Sequence, residues 1–221
     1  MDEVTKTIFI LSYGYILGSI NSAFLVGKIA KGLDLRKTGT GTLGAANVWY
    51  QVGRFWIFPV GIFDVFIKGM TPVYIARYTL DLSIEIQAMA GIMAILGHNW
   101  PIFLKFHGGR GIAPTVGALL ALARMELVLF IVIATAGWKL TNNSATWVLI
   151  GFLIMPIASM LWSKPASIQV ALLFILLIVI LKRVFPNTQF GVCLKSKTIF
   201  LNRLLHDRDI DDHDAWINQH R

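Results

Sequence analysis

The amino-acid sequence predicts an all-α fold, an integral membrane helical bundle of about seven transmembrane helices. Composition is the first observation behind this prediction: the 221 residues are 56% hydrophobic and only 14% charged, and the mean hydropathy is +0.66. A soluble domain carries about 25% charged residues, because its surface must be wetted. The second observation is that the charged residues cluster and leave long apolar stretches between them.

These apolar stretches place the expected spans in order along the chain. The first is too long to be only a signal peptide and is predicted to be a retained helix. The fourth and fifth are short, so they form either two brief spans or one re-entrant segment and one span. The expected transmembrane domain is 1–184, followed by a cytoplasmic tail over 185–221. The expected spans cover residues 7–29, 55–80, 84–106, 112–123, 126–140, 145–162 and 167–181.

Lysine and arginine residues predict the orientation. They concentrate in the first and third connections and in the tail, whereas the second connection carries only Arg77 against Asp81 and Glu85. Because positive charge marks the cytoplasmic side, the N-terminus is expected outside and the C-terminus inside, in a multi-pass protein of the inner (plasma) membrane. The residues behind the formal net charge of +8 are then expected to set the orientation of the protein in the membrane and to contact anionic membrane lipids. No basic run is interleaved with aromatic residues, so nucleic acid is not an expected partner.

The stretch RKTGTGTLGAANVW, residues 36–49, contains the outline of a dinucleotide-binding fingerprint, with Asp64 as the candidate acid. That fingerprint needs a preceding strand in a soluble βαβ unit, and the flanking segments here are membrane helices. The glycines instead allow backbone N–H groups to converge on a phosphate at the start of a helix. A phosphate loop is therefore predicted rather than a bare interhelical turn. Its expected substrate-binding residues are Arg36, Gly39, Thr40, Gly41, Thr42, Gly44 and Asn47.

A second glycine-rich loop lies in GHNWPIFLKFHGGRGIAP, residues 97–114, and also opens an apolar helix. Two spans separate the loops, so both emerge on the same membrane face and predict a site for two anionic groups, such as two phosphates. His98 is either a satisfied buried histidine or a residue that contacts the substrate or braces the loop. The expected binding residues here are His107, Gly108 and Gly109, with Arg110 as the cation.

Other polar residues leave alternatives open. Asp64 and Lys68 are four residues apart on one helix, and such a pair within a span is costly unless it is buried and paired. The pair therefore either neutralises itself or lies near the polar site. The acidic, histidine-containing tail is expected to be solvated rather than to bind metal. The single Cys193 excludes an internal disulfide and a thiolate metal site. No nucleophile with its base is evident, and no metal or cofactor is expected.

These motifs resemble those of the acyl-phosphate-dependent glycerol-3-phosphate acyltransferases of the bacterial membrane, the PlsY type. The resemblance covers most of the chain, to about Arg183. Its longest match is that of residues 97–113 to the pattern G-H-x-x-P-x-F-x-x-F-x-G-G-K-G-x-A, with Arg110 for the lysine. The other matches are Gly18-Ser19-Ile20-Asn21 to G-S-I-P, Asp34-Leu35-Arg36 to D-x-R, residues 39–47 to G-S-G-N-x-G-A-T-N, and Asp64, Lys68, Gly69, Pro72 and Val73 to D-x-x-x-K-G-x-x-P-V.

The resemblance implies a membrane enzyme of phospholipid biosynthesis with its active site at the cytoplasmic surface. Such an enzyme moves an acyl chain from acyl phosphate to the 1-hydroxyl of glycerol 3-phosphate and gives lysophosphatidic acid, without metal, cofactor or protein nucleophile. The protein's task is then positioning and charge stabilisation. The implied roles are phosphate clamps at Arg36, Arg54 and Arg110, orienting donors at Asn47 and His98, and catalytic roles for His98 and Arg110.

The chain departs from the family patterns at several positions. Arg54 lies one turn beyond the position of a family arginine and is expected to reach the same helix face. The motif after the last helix survives either as Arg183 with Asn187 or as residues 203–205. The departures leave open another phosphorylated acceptor or a non-catalytic lipid-binding or interaction role. An anion transporter is disfavoured, because several spans lack polar residues. The substitutions are Asn21 for proline, Thr42 for asparagine, Ala46 for threonine, Tyr50 for arginine and His107 for lysine.

Overall fold

The computed structural model describes residues 2–187, 196–210 and 212–217, and its regular elements in these ranges are all helices. Short 3₁₀ turns occur at Leu35–Lys37 and Ile102–Leu104. The helices are α1 (Glu3–Ser19), α2 (Ser22–Lys31), α3 (Ala45–Gln51), α4 (Arg54–Thr79), α5 (Ile84–Asn99), α6 (Ile112–Leu122), α7 (Arg124–Thr141), α8 (Ser144–Leu161), α9 (Ala166–Val184), α10 (Lys197–His206) and α11 (His213–Ile217).

The predicted spans agree in position with α1 and α2 together and with α4 to α9, whereas α3 lies in the predicted first connection. The prediction of a helical membrane protein is confirmed. The continuous stretch of α1 and α2, together with α4, α8 and α9, gives four helical segments long and apolar enough to cross a membrane. The total of seven spans and the orientation stay predictions. The first expected span is divided at Ile20, because Asn21 begins a new helix by accepting a hydrogen bond from Phe24 N at 2.8 Å. The break between α6 and α7 lies at Ala123.

Small residues allow two helix pairs to pack closely. A Cβ on Gly18 of α1 would stand 2.3 Å from the backbone oxygen of Ala94 in α5. A Cβ on Gly117 of α6 would stand 1.8 Å from the backbone oxygen of Val65 in α4. Close backbone approach through small residues is typical of membrane helices, which gain little from burying apolar surface against one another. These two contacts pack α1 against α5 and α6 against α4.

The hydrophobic core runs between α5, α6, α7, α8 and α9. Phe130 of α7 packs against Phe152 of α8, with ring centroids 4.8 Å apart. Large apolar side chains also cover the outside of the bundle: Ile29, Leu140 and Leu161 are among the most exposed. In water such a surface would be an association site, whereas in a bilayer it faces lipid.

The described part of the C-terminal tail packs against the bundle. α10 contacts α8 and α9, and Arg203 in α10 is almost fully buried. Arg203 Nη1 donates to Val184 O at 3.2 Å, at the end of α9. The acidic tail that is expected to be solvated begins at His206, and this expectation is wrong for residues 206–209, which are half-buried against the bundle with Asp207 3.1 Å from Arg110. The division at residue 184 stays a prediction, and Cys193 lies outside the described residues.

Candidate active site

Asn47 organises the first glycine loop from within. Its side chain is fully buried, and its Nδ2 lies 3.0–3.1 Å from three backbone oxygens, those of Leu35, Thr38 and Thr42. Its Oδ1 accepts from Thr40 N at 3.2 Å. The loop therefore uses the whole amide, so Asn47 orders the loop and has no donor left for a substrate.

The two halves of this loop face in different directions. Gly39 and Gly41 have left-handed φ angles of +62° and +68°, which turn the chain sharply. Thr40 is buried, and its hydroxyl contacts that of Thr42 at 2.8 Å. Thr42 and Gly44 line a cavity. The predicted phosphate cradle is thus reduced to the second half of the loop, and the first half supports it from behind.

Arg36, a predicted phosphate clamp, is already paired. Its Nε lies 3.0 Å from Asp34 Oδ1 and its Nη2 lies 2.7 Å from Asp34 Oδ2. The guanidinium also covers the ring of Phe24, 5.1 Å from the centroid. The hydrogen bond from Arg36 lowers the pKa of Asp34 to about 2, so the carboxylate stays charged and keeps its partner. Arg36 is not among the described residues that line the cavity.

Arg54, the second predicted clamp, also lies away from the cavity, as far as the described lining residues show. It is exposed and lies over the ring of Phe55, 5.3 Å from the centroid. α3 ends at Gln51, and Gly53 has a φ of +141°. Arg54 therefore begins a new helix instead of continuing the one that carries Tyr50, and the expected shared face is wrong, because one-turn spacing applies only within a continuous helix.

Hydrogen bonds from neighbouring elements hold the second glycine loop. Asn187, after the end of α9, accepts from Gly108 N at 3.3 Å and donates to Gly108 O at 2.8 Å. Gly109 N donates to His98 O at 3.1 Å. The His107 ring contacts a backbone oxygen of its own turn at 2.8 Å. Gly108, Gly109 and His107 shape the loop, and the described lining residues include none of the three.

His98 braces the second loop. A Cβ on Gly109 would stand 2.2 Å from His98 Nε2 and 2.6 Å from the backbone oxygen of Leu43. Gly109 in the second glycine loop therefore lies directly against the backbone of Leu43 in the first. The imidazole is buried and also lines the cavity. His98 therefore packs against the second loop through its ring and its backbone oxygen, and a contact with substrate stays a prediction.

A buried charged pair lies beneath the loops. Lys68 Nζ is 2.7 Å from Asp64 Oδ1, which also accepts from Ser22 Oγ at 2.7 Å. His98 Nδ1 lies 3.3 Å from the same ammonium nitrogen. Asp64 lines the cavity. Both open alternatives hold: the pair neutralises itself, and it lies at the polar site. Asp64 and Lys68 belong to a stretch of wide, π-type turns in α4, a feature frequent at functional sites.

The two loops meet at a cavity of about 970 Å³, lined by Thr42 and Gly44 of the first loop and by Arg110 and Gly111 of the second. A site for two anionic groups there stays a prediction. Its polar lining includes three cations, Arg110, Arg183 and Arg208. Arg110 is the predicted clamp that reaches this cavity: its Nη1 donates to Lys182 O at 2.7 Å, and its Nε lies 3.1 Å from Asp207 Oδ1. The apolar lining comes from α4, α6 and α8 and comprises Val60, Val65, Ile112, Val116 and Val148.

Residues 8–189 match the family model described as glycerol-3-phosphate acyltransferase. This range includes both glycine loops and the charged pair of α4. The chain belongs to the glycerol-3-phosphate acyltransferase family. The resemblance to the PlsY type that the loop motifs indicate is thereby confirmed, and so is a membrane acyltransferase of phospholipid synthesis as the family function.

Relatives in this acyltransferase family match over nearly the whole chain. Glycerol-3-phosphate acyltransferase 5 of Dehalococcoides mccartyi is 32% identical, over 93% of this chain and 90% of that protein. Glycerol-3-phosphate acyltransferase of Prochlorococcus marinus (strain MIT 9301) is 34% identical, over 96% and 98%. The fold is similar to the crystal structure of PlsY (YgiH), an integral membrane glycerol 3-phosphate acyltransferase, in the glycerol 3-phosphate form, with a TM-score of 0.73, 24% identity and coverage of 79% of this chain and 86% of that one.

In this acyltransferase family member, residues beyond the family match also line the cavity. They are the tail residues His206, Asp207, Arg208 and Trp216, whereas the match ends at residue 189. Sequence reasoning missed them because a charged tail resembles a solvated one. The signal available in the sequence was the motif after the last helix, which survives either at Arg183 with Asn187 or at residues 203–205. In the structure these two candidate segments lie side by side, because Arg183 Nη1 donates to Leu204 O at 2.9 Å.

Proposed function

We propose that this chain is an acyl-phosphate:glycerol-3-phosphate O-acyltransferase that acts at the cytoplasmic face of the inner membrane. The observation that carries the proposal is the cavity between the two glycine loops, which combines a cationic lining with an apolar wall. An acyl phosphate has the same two parts, an anionic head and an apolar tail. The family of this chain supports glycerol 3-phosphate as the acceptor.

The proposed reaction relies on positioning and charge stabilisation. The 1-hydroxyl oxygen of glycerol 3-phosphate attacks the acyl carbonyl carbon, and the bond from that carbon to the phosphate oxygen breaks. The phosphate leaves with the hydroxyl proton, and lysophosphatidic acid is the other product. Arg110 stabilises the charge of the leaving phosphate, while Arg183 and Arg208, on the same cavity, bind the acceptor phosphate. His98 holds the loop that carries Arg110.

The positive charges at the loop end of the bundle support the proposed cytoplasmic placement. Cytoplasmic connections are enriched in lysine and arginine, and the cavity opens among such residues. The far ends of α4 and α5 carry Arg77 against Asp81 and Glu85, which gives that end no positive excess. The acyl chain would then run from the cavity along the apolar wall of α4, α6 and α8 toward lipid.

Purified protein in detergent, incubated with palmitoyl phosphate and labelled glycerol 3-phosphate, tests the proposal. We expect lysophosphatidic acid to form, with no product from palmitoyl coenzyme A. Arg110→Gln is expected to lower kcat/KM at least about 100-fold, as for loss of a donor that acts on transition-state charge. Arg110→Lys should recover part of the loss.

Arg124→Gln is the matched control: Arg124 is exposed at the start of α7, at the end of the bundle away from the loops, so the change should leave the rate unchanged. Folded protein that yields no product from any phosphorylated acceptor would contradict the proposed reaction and favour a non-catalytic lipid-binding role. If product forms from a different phosphorylated polyol but not from glycerol 3-phosphate, that polyol phosphate is the acceptor instead.

A further inference from the structure

The C-terminal segment of residues 197–209, here called the C-terminal cap, is firmly attached next to the cavity. Arg183 Nη1 donates to Leu204 O at 2.9 Å, and Arg203 Nη1 donates to Val184 O at 3.2 Å. These contacts are partly or fully buried. They fix the end of α10 at the cavity, so the cap contributes residues to its lining.

Two oxygen atoms of Asp207, at the end of α10, face the guanidinium of Arg110. Its φ of +56° is left-handed, which ends the helix. Its backbone oxygen accepts from Arg110 Nη2 at 3.3 Å, and its Oδ1 lies 3.1 Å from Arg110 Nε. Two oxygens thus face two nitrogens of one guanidinium. A phosphate presents oxygens to an arginine in the same manner, so Asp207 occupies the position that a phosphate needs.

The contact between Arg110 and Asp207 is incomplete. Arg110 Nε and Asp207 Oδ1 are both buried, yet within the described residues neither has a well-directed hydrogen bond. A buried charged donor without a directed acceptor is unfavourable. The ion pair of Arg203 with Asp209 is satisfied at both nitrogens. Directed hydrogen bonds at Leu204 and Arg203 thus hold the cap on the bundle, whereas its contact with the cavity cation Arg110 is weak.

We propose that Asp207 is an internal competitor for phosphate: it contacts Arg110, and a substrate phosphate takes its place on the guanidinium. Arg110 keeps its bond to Lys182 O during the exchange and so stays in place. The cap lies beyond residue 189, where the family match ends. This inference rests on the proposed function for its phosphate site, so its test measures binding of inorganic phosphate rather than acyl transfer.

Titration calorimetry with inorganic phosphate on the full chain in detergent provides the test. Asp207→Asn removes the charge and keeps the backbone, because asparagine tolerates the left-handed conformation. We expect this variant to bind phosphate on the order of fivefold more tightly, the effect of losing one weak competing ion pair. Arg110→Gln should bind at least several-fold more weakly, and Asp207→Asn in the Arg110→Gln background should bring no gain.

Asp81→Asn is the matched control, since Asp81 is also left-handed, with a φ of +50°, and is exposed at the far end of α5; its phosphate affinity should equal that of the wild type. Equal or weaker binding by Asp207→Asn would overturn the proposal, because Asp207 would then position Arg110 rather than compete. If Asp207→Asn also tightens phosphate binding in the Arg110→Gln background, the proposal is overturned as well, because the gain in affinity is then a general effect of charge. Absence of acyl transfer alongside the expected binding would refute the proposed reaction and leave this inference standing.

Discussion

His98 Nε2 lies 2.2 Å from the point where a Cβ on Gly109 would stand, so the two residues are neighbours because Gly109 has no side chain. The same Cβ would stand 2.6 Å from Leu43 O in the first loop. One small residue thus joins α5 and both glycine loops. Because Leu43 O belongs to the backbone, the loop cannot yield there by a change of rotamer.

Gly109→Ala is expected to separate the two loops and to lower both stability and acyl transfer. Overpacking of a tight site costs roughly 1–3 kcal/mol, and the movement shifts Arg110, which is the next residue. Thermal unfolding in detergent and the transfer assay measure the two effects. Gly61→Ala is the stability control, since a Cβ there meets nothing within 4 Å. Gly109→Ala with wild-type stability and rate would contradict the proposed tight joint.

The positions of the helices were predictable because each depends on a local apolar run. The span expected over residues 145–162, for example, is observed as Ser144–Leu161. The sharing of one site by the two loops followed from their separation by two spans. Both inferences rest on the fixed thickness of the bilayer, which sets the length of each membrane-spanning segment, so they need no knowledge of side-chain contacts.

The directions of the polar side chains were not predictable in the same way. Asn47 faces into its loop and Arg36 turns to Asp34, because the closest unsatisfied partners are local backbone and carboxylate oxygens. The position of Arg54 depends on one backbone angle at Gly53. Asp207 reaches the site through contacts with helices distant in sequence, which a charge pattern does not reveal.

Asn47 is expected to be essential for loop order rather than for substrate contact. Asn47→Ala leaves buried carbonyl oxygens without donors, at a cost of about 1–3 kcal/mol. Asn47→Asp should be worse, because it faces those oxygens with a further acceptor that carries charge. The free energies of unfolding of the two variants, measured in mixed micelles, give the order of their stabilities. Asn143→Asp is the control, since Asn143 caps α8 as an acceptor from Thr146 N, a role that aspartate performs equally well. The His206 Nδ1 that lies 3.0 Å from Asn143 Nδ2 can donate to a carboxylate there instead. Greater stability of Asn47→Asp than of Asn47→Ala would contradict the assignment of Nδ2 as the donor.

Asp64 and Lys68 are expected to show strongly non-additive effects on stability. Either single change, Asp64→Asn or Lys68→Met, leaves a buried polar or charged group without its partner, and breaking a buried pair costs about 3–5 kcal/mol. The double variant removes both and should lose clearly less than the sum. Unfolding free energies of the four proteins give the coupling. Additive losses would show that the 2.7 Å contact contributes little energy.

The ion pair of Asp34 with Arg36 is expected to stabilise the first loop in a pH-dependent way. The pKa of Asp34 in the folded protein, about 2, lies below its ordinary value of 3.8. Stabilisation is therefore fully present above about pH 4 and is lost as the pH falls toward the folded value. Because the pair is partly exposed, Asp34→Asn should cost no more than about 1 kcal/mol at pH 7. The wild-type-minus-variant difference in unfolding free energy should stay constant from pH 7 to 5 and shrink below pH 4.

Arg36→Gln breaks the same pair from the other side and should reproduce this profile. It should also leave the affinity for inorganic phosphate within about twofold of the wild type, in contrast to Arg110→Gln, because the Arg36 guanidinium lies on Asp34. Calorimetry on the two arginine variants under identical conditions makes the comparison. A loss of phosphate affinity in Arg36→Gln as large as that in Arg110→Gln would return Arg36 to the role of phosphate clamp and require Asp34 to release it on binding.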